Sequence, residues 1–425
     1  MNEDFLHYLW KYRLFGNALT TTLNEPIEVI ETGFHNHDSG PDFLNAKIKI
    51  GHTTWVGNIE IHVNASDWIT HAHHLDKAFQ NVILHVVFND DFPDSSPFLP
   101  LAPCTEVGKL IDYKLFYKYK DFLAARGWVP CHLQIKETER LTLSSWFERM
   151  LAERLTANSV NILKIYQDCS CDWNETYYRL LSRSFGLKIN GDSFELLSQK
   201  LLFSIIQRHR SNLFQLEALL FGVAGFLEEK FDDEYPNRLK LEFEFLRKKY
   251  DLEPMPVHHW QFLRMRPAGF PTIRLAQFAS FWHRNSIDLD AIFNLPPDEV
   301  AAIHFDAEVS AYWKDHYLPD KKSLHKSKVM GSGTINSLII NTIPPLIFAY
   351  GQQIGDLYST ERAVQVLERI GPEINHETKE WINIGIKPTS AAETQALHYM
   401  KKNYCDQKRC LHCRIGHSLL KMNDN

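Results

Sequence analysis

The sequence predicts an α/β N-terminal domain with a mixed sheet in the order αβββαβ, followed by a mostly α-helical domain and a cysteine-containing C-terminal tail. Three observations carry this. Apolar residues alternate at period two in the runs before residue 105, they recur at helical spacing after it, and three of the seven cysteines gather near the C-terminus. The expected boundaries are 1–105, 106–400 and 401–425.

The N-terminal elements follow in order. Residues 3–14 are amphipathic and read as a helix, and "PIEVIET" reads as a strand. Residues 40–63 read as two further strands joined by a hairpin around "GHTTW". Side chains alternate along a strand, so in "GNIEIHV" Ile59, Ile61 and Val63 share one face while Asn58, Glu60 and His62 share the other. "SDWITHAHHLDKAFQ" reads as a helix. In "NVILHVVFN", Val82, Leu84, Val86 and Phe88 alternate, which sets His85 on the opposite face. The proline-rich stretch 90–104 is a connector. Beyond it, Trp146, Met150, Leu151 and Leu155 fall at helical spacing, and Ser144 or Ser145 with Glu148 forms a capping box. Further amphipathic helices follow, with no fixed-period repeat.

Composition excludes several classes. With 425 residues and 44% apolar content the chain has material for two or three domains. A formal charge of −6 and a pI near 6.4 give neither the basic excess of a nucleic-acid binder nor a polybasic membrane anchor. Residues 1–105 hold five Lys or Arg against thirteen Asp or Glu, a net of −8, which leaves +2 for the rest. Nucleic acid, as a partner, would be gripped largely by the helical domain. The N-terminus lacks the pattern of a signal peptide, and the apolar run 337–351 is short and broken by Pro344-Pro345, so no membrane partner is expected. An odd cysteine count fits a reducing compartment, and the expected location is cytoplasmic.

The chemistry concentrates on Asp42 and Glu60. A hairpin would return Glu60 to within reach of Asp42, and two converging carboxylates beside a third polar group suit Mg²⁺ or Mn²⁺. Pro41-Asp42 followed by Glu60-x-His62, set in the αβββαβ order, resembles the PD-(D/E)XK nuclease superfamily. That resemblance implies a restriction-endonuclease-like fold in which the two acids hold a divalent metal that activates water against a phosphodiester. His62 stands where that superfamily usually has lysine, an imidazole in place of a fixed cation. Lys47 or Lys49 on the neighbouring strand would supply the missing charge. His85 is the histidine expected nearest Glu60, and Asp42, Glu60, His62 and His85 form the candidate catalytic set.

Other clusters carry separate expectations. Histidine is dense between 35 and 85, and on a helix His71 and His74 would share one face, a pattern that suits Zn²⁺. Arg264, Arg266 and Arg274 flank a Pro/Gly loop and, with Lys47 and Lys49, are the candidate phosphate contacts. Cys405, Cys410 and Cys413 form C-x4-C-x2-C, which suits zinc or an iron-sulfur cluster, with His412, His417 or Cys131 open as the fourth ligand.

Taken whole, the strings "GPDF", "GNIEIHV", "DWITHAHHLD", "EALLFGVAGFL", "RMRPAGFPTIRLAQ" and the "YC…RCLHC" tail resemble an uncharacterised bacterial family of about this length. The leading expectation for function is a metal-dependent phosphodiesterase acting on nucleic acid. Its rivals are a non-enzymatic scaffold with a degenerate nuclease-like domain and a structural metal, and a zinc hydrolase built on the histidines.

Overall fold

A computed structural model of the protein describes every residue except 16–18, 37, 93–101, 264, 286–288, 304–307 and 423–425. His37, Arg264 and most of the proline-rich connector therefore lie outside the described residues. Packing groups Met1–Leu143 with Lys401–Asn425 in one unit and Ser144–Met400 in another. The first unit is thus larger than the 1–105 span read from the sequence: residues 106–143 and the cysteine tail belong to the same unit as the sheet.

In the first unit a helix α1 (Glu3–Lys11), N-capped by the Asn2 side chain, precedes strands β1 (Ile27–Glu31), β2 (Phe34–His35), β3 (Phe43–Ile50) and β4 (Thr53–Asn64). A one-turn helix α2 (Asp67–Thr70), strands β5 (Val82–Asn89) and β6 (Cys104–Glu106) and helix α3 (Tyr113–Ala124) follow. The sheet order is β1-β3-β4-β5-β6, with β2 also paired to β3. Pairs on the β3 side are antiparallel, whereas β4–β5 and β5–β6 are parallel, so the sheet is mixed. Strand β5, between two parallel neighbours, is buried on both faces from Val82 to Val87, as strands in parallel pairing are. His85 is therefore enclosed, and the alternation at Val82, Leu84 and Val86 did not mark a wet face.

The core of this unit forms where α1 meets β4. Phe5 and Leu9 of α1 and Phe43, Ile48, Ile59 and Ile61 of the sheet are all fully or almost fully buried. Phe5 also stacks on Tyr119 of α3 at 5.5 Å between centroids. Gly57 sets the approach of β4 to the start of β5. A Cβ there would sit 2.5 Å from Ile83 Cγ2 and 2.7 Å from the Asn81 carbonyl, so that position accepts no side chain without moving β5.

Residues 66–80 are not the continuous helix their pattern suggested. Helix α2 ends after one turn, Ala72 adopts φ 59° in the left-handed region, and two 3₁₀ turns, His73–Leu75 and Lys77–Phe79, complete the segment. What fixes this path is packing. Trp68, Phe79, Val82 and Ala102 form a buried cluster, with Ile69 against it.

The second unit is mostly helical, from the 29-residue helix Arg140–Asp168, which begins just ahead of Ser144, to Ala391–Met400, with a two-stranded ribbon at His316–Leu318 and Lys321–Lys322. The first helix starts four residues before Ser144, so Ser144 and Ser145 lie inside it and cannot cap it. Pro344 and Pro345 lie inside the helix Ser332–Ile354. Among the described residues no helix is long and apolar enough to cross a membrane.

Gly57→Ala should overpack the β4–β5 junction. The expected loss is about 1–3 kcal/mol, read by urea unfolding, and an unchanged midpoint would show that β5 yields freely.

Candidate metal centre on the sheet

The β3–β4 hairpin brings the two carboxylates together. Phe43 pairs with Ile59, which sets Asp42 beside Glu60. The Asp42 N–H donates to Glu60 Oε2 at 3.2 Å, and the Ile61 N–H donates to Asp42 Oδ2 at 2.9 Å. Each acid is thus anchored by the other's strand. The ladder is irregular between Phe43 and Ala46. There Asn45, at φ 56°, turns its N–H to the Asn58 side chain rather than to a strand carbonyl.

Histidines close around Glu60. Glu60 Oε1 lies 3.4 Å from His62 Nε2 and 3.2 Å from His73 Nε2, and His71 Nδ1 lies 3.3 Å from His62 Nε2. His62, His71 and His73 are the group of three potential ligands, among the described residues, whose ligand atoms all lie within 4.8 Å of one another. On its other side His62 Nδ1 meets His85 Nε2 at 2.8 Å. From α1, His7 Nε2 lies 3.3 Å from Asp42 Oδ2.

The left-handed Ala72 makes this convergence. On a continuous helix, His71 and His73 would point about 200° apart at 100° per residue. The reversal at Ala72 brings His71 to His62 and His73 to Glu60, and it is His74 that stays outside the group. The ring of His73 stacks on Phe79 at 3.8 Å, and Trp68 lies 5.6 Å from His73 and 5.1 Å from His85. The apolar cluster beneath the segment therefore holds the ligand rings.

Burial sets the protonation states. Glu60 is 5% exposed. Its carboxyl is held well above the usual range first by burial, then by the Asp42 and Glu3 charges, against the pull of the Asp42 N–H. His62 and His85 are each pushed down to about 3, first by burial and then by neighbouring histidines, and His73 is lowered for the same reasons. His62 is thus a neutral imidazole near pH 7. It cannot serve as the fixed cation that lysine would be.

No lysine takes that role on the neighbouring strand either. Lys47 pairs with Val56 and Lys49 with Thr54, four and six positions before Glu60, or roughly 13 and 20 Å along a strand at about 3.3 Å per residue. In the helical unit Arg266 is exposed. Arg274 is largely buried, donates from Nη1 to Gln277 Oε1 at 3.0 Å, and lines a cavity of about 240 Å³ with Lys326 and Lys328. Arg266 does not line it. Sequence reasoning missed His7, which an amphipathic helix gave no reason to single out, and the pairing of His71 with His73, because an alanine at positive φ leaves no mark in the sequence.

Chemically, the arrangement offers nitrogen and oxygen donors of the kind that could hold a cation. A tetrahedral site with nitrogen and oxygen ligands at about 2.0–2.1 Å has ligand-to-ligand edges of roughly 3.3–3.4 Å. The His62–Glu60, His73–Glu60 and His71–His62 separations, 3.4, 3.2 and 3.3 Å, correspond to three of the six such edges, and the atoms that all lie within 4.8 Å of one another are those of the three histidines. A metal-bound imidazole keeps its other nitrogen in a hydrogen bond, the position His85 takes behind His62.

Two outcomes follow for the metal-free protein. The depressed His62 and His85 give stability that is present above the ordinary histidine value of 6.5 and is lost as pH falls toward 3. The raised Glu60 gives stability that is present below the ordinary 4.5 and is lost as pH rises through its folded value. Two histidines outweigh one acid between these limits, so chelator-treated protein should be most stable near about pH 6.5, and a melting temperature still climbing at pH 8 would contradict the assignment. At Ala72, glycine accepts φ 59° and valine does not. Ala72→Gly should keep its metal affinity while Ala72→Val loses at least about tenfold, as read by competition with a chromogenic chelator; equal affinities would refute the role of the turn.

No curated protein and no solved structure matches the chain. A family model does match, over residues 3–376, which include every donor of the centre, and the chain belongs to that family, described as Protein of unknown function (DUF2851).

Proposed function

We propose that the sheet site is a transition-metal centre for hydrolysis of a phosphodiester, with Zn²⁺ or Mn²⁺ held by Glu60, His62, His71 and His73. The observation that carries this is the gathering of the His62, His71 and His73 ring nitrogens within 4.8 Å of one another, with Glu60 Oε1 3.4 Å from His62 Nε2 and 3.2 Å from His73 Nε2. Imidazole nitrogen suits zinc and carboxylate oxygen suits manganese, whereas Mg²⁺ prefers oxygen alone. The substrate class rests on the resemblance of Pro41-Asp42 and Glu60-x-His62 to the nuclease superfamily, with nucleic acid as the expected partner. The bound cation would supply charge stabilisation and a lowered pKa for water.

The protein's residues have separate tasks. Asp42, half-buried and 3.3 Å from His7, is placed to accept a proton from the attacking water. His85 orients His62 through the 2.8 Å contact. His71 is exposed and His73 half-buried, so the ligand set opens to solvent on the side where substrate would enter.

The test is hydrolysis of bis(p-nitrophenyl) phosphate and of single- and double-stranded nucleic acid in Zn²⁺, Mn²⁺ and Mg²⁺, with metal content measured in parallel. Glu60→Gln and His73→Ala should lose bound metal and turnover together. Asp42→Asn should keep the metal and lose about 10²–10⁴-fold in turnover. His85→Phe should weaken metal binding about 10–100-fold. Bound metal without turnover on any of these substrates would leave the scaffold reading, and wild-type protein that binds neither Zn²⁺ nor Mn²⁺ would remove the centre itself.

A further inference from the structure

The helical unit holds a charge cluster of its own. Residues 323–331, "SLHKSKVMG", form neither helix nor strand and lead from the two-stranded ribbon into the helix Ser332–Ile354. This strap and the helix Pro271–Arg284 line a cavity of about 240 Å³ with Arg274, Gln277, Lys326, Lys328 and Gly331 in its wall. Among the described residues its lining carries three cations and no carboxylate.

Buried hydrogen bonds hold that wall in place. Gln277, 3% exposed, accepts from Arg274 Nη1 at 3.0 Å and donates from Nε2 to the Lys328 carbonyl at 2.9 Å, so one amide joins the guanidinium to the strap. Lys328, 5% exposed, donates from Nζ to the His316 carbonyl at 2.7 Å and to the Trp313 carbonyl, and lies 3.7 Å from the centroid of the Tyr317 ring. Carbonyl dipoles and a ring face hold that ammonium without cancelling its charge. Asp315, the acid that acts on Lys328, is itself paired with His325 at 2.6 Å and lies outside the lining. A guanidinium has five N–H donors. Gln277 takes one from Arg274, whose Nε is buried with no partner among the described residues. Burial alone pushes that guanidinium down, with no acid to offset it. Lys326 is exposed and forms no ion pair among the described residues.

We propose that this cavity binds a phosphoryl group, free or as a small phosphomonoester, through Arg274, Lys326 and Lys328. Buried charge is stable when it is paired. A phosphoryl group brings a charge of about −1.5 to −2 at neutral pH, on oxygens that a guanidinium fork can meet two at a time. Main chain adds to the cations. Gly331 is the N-cap of the 23-residue helix Ser332–Ile354 and gives it no side-chain cap, so the positive end of that helix dipole meets the cavity wall uncovered. A Cβ on Gly331 would meet nothing within 4 Å, which leaves room there for an oxygen. Size narrows the ligand further. Sites that enclose drug-sized molecules run to about 300–1,000 Å³, so a cavity of about 240 Å³ fits phosphate or a small ester rather than a nucleotide chain. No residue of this wall belongs to the sheet site, so the inference stands apart from the hydrolytic reading.

The experiment titrates the full chain calorimetrically in a chloride buffer with a chelator present, which removes any contribution from a cation in the sheet site. The probes are inorganic phosphate, glycerol 3-phosphate and acetate. Both phosphates should bind at one site per chain, with acetate weaker by at least about tenfold. Whichever phosphate binds more tightly identifies the source, free anion or ester. Arg274→Gln should weaken phosphate at least about tenfold, and Lys326→Gln by a smaller factor. Gly331→Asp separates binding from folding. Aspartate is a favoured N-cap, so this variant should melt no lower than wild type, yet its carboxylate takes the helix end and should cost phosphate at least about tenfold in affinity. Wild-type protein that binds no phosphate in the millimolar range, acetate bound as tightly as phosphate, or wild-type affinity in folded Gly331→Asp or Arg274→Gln overturns the proposal. Should Arg274→Gln fail to fold, Gly331→Asp and Lys326→Gln decide.

Discussion

The burial of Glu60 is the constraint on which the sheet site depends. A carboxylate at 5% exposure, beside a second acid, is stable only if it is protonated or paired with a cation, since an unpaired buried charge costs several kcal/mol. Among the described residues, those in contact with it are histidines and Asp42, none of them a fixed positive charge. His62 and His85 are neutral, and the lysines of β3 pair with positions well down the strand. Glu60 therefore carries a proton or faces a bound cation. On the proposed reading, the burial that keeps Glu60 protonated in the metal-free protein is what a bound cation would offset by displacing the proton.

The segment 66–80 shows how a fold meets that constraint at local expense. A left-handed alanine costs roughly 1–2 kcal/mol relative to a helical one, and it breaks a helix that the pattern otherwise favours. The return is the burial of Trp68 and Phe79 and the placement of His71 and His73 on one side. The same aromatic rings that build the core of the segment touch His73 and His85, so core packing and ligand geometry are one set of contacts.

How much was legible in the sequence follows from which period each feature obeys. The strands at 27–31, 43–64 and 82–89 were readable because alternation is local, and the same alternation set Glu60 and His62 on one face. The return of Asp42 to Glu60 followed from a short hairpin. The β3 lysines were misplaced because sharing a face does not mean sharing a height along the strand. The capping box at Ser144 failed because the helix extends back to Arg140, and the 66–80 helix failed because tertiary packing of Trp68 and Phe79 overrode a weak local preference.

On the proposed reading, a histidine at the position where the nuclease superfamily has lysine would change the chemistry open to the site. A lysine contributes positive charge that does not depend on metal, so a two-carboxylate site can use a weakly held Mg²⁺. With a neutral imidazole in that place, the positive charge offered to a phosphodiester would have to come from a bound cation. Nitrogen donors then become an asset: they bind the metal without cancelling its charge, whereas further carboxylates would. Three imidazoles with one carboxylate leave a divalent ion with a net charge of about +1, against roughly zero for two carboxylates alone. On the proposed reading the histidine density of this segment would be the counterpart of that lysine.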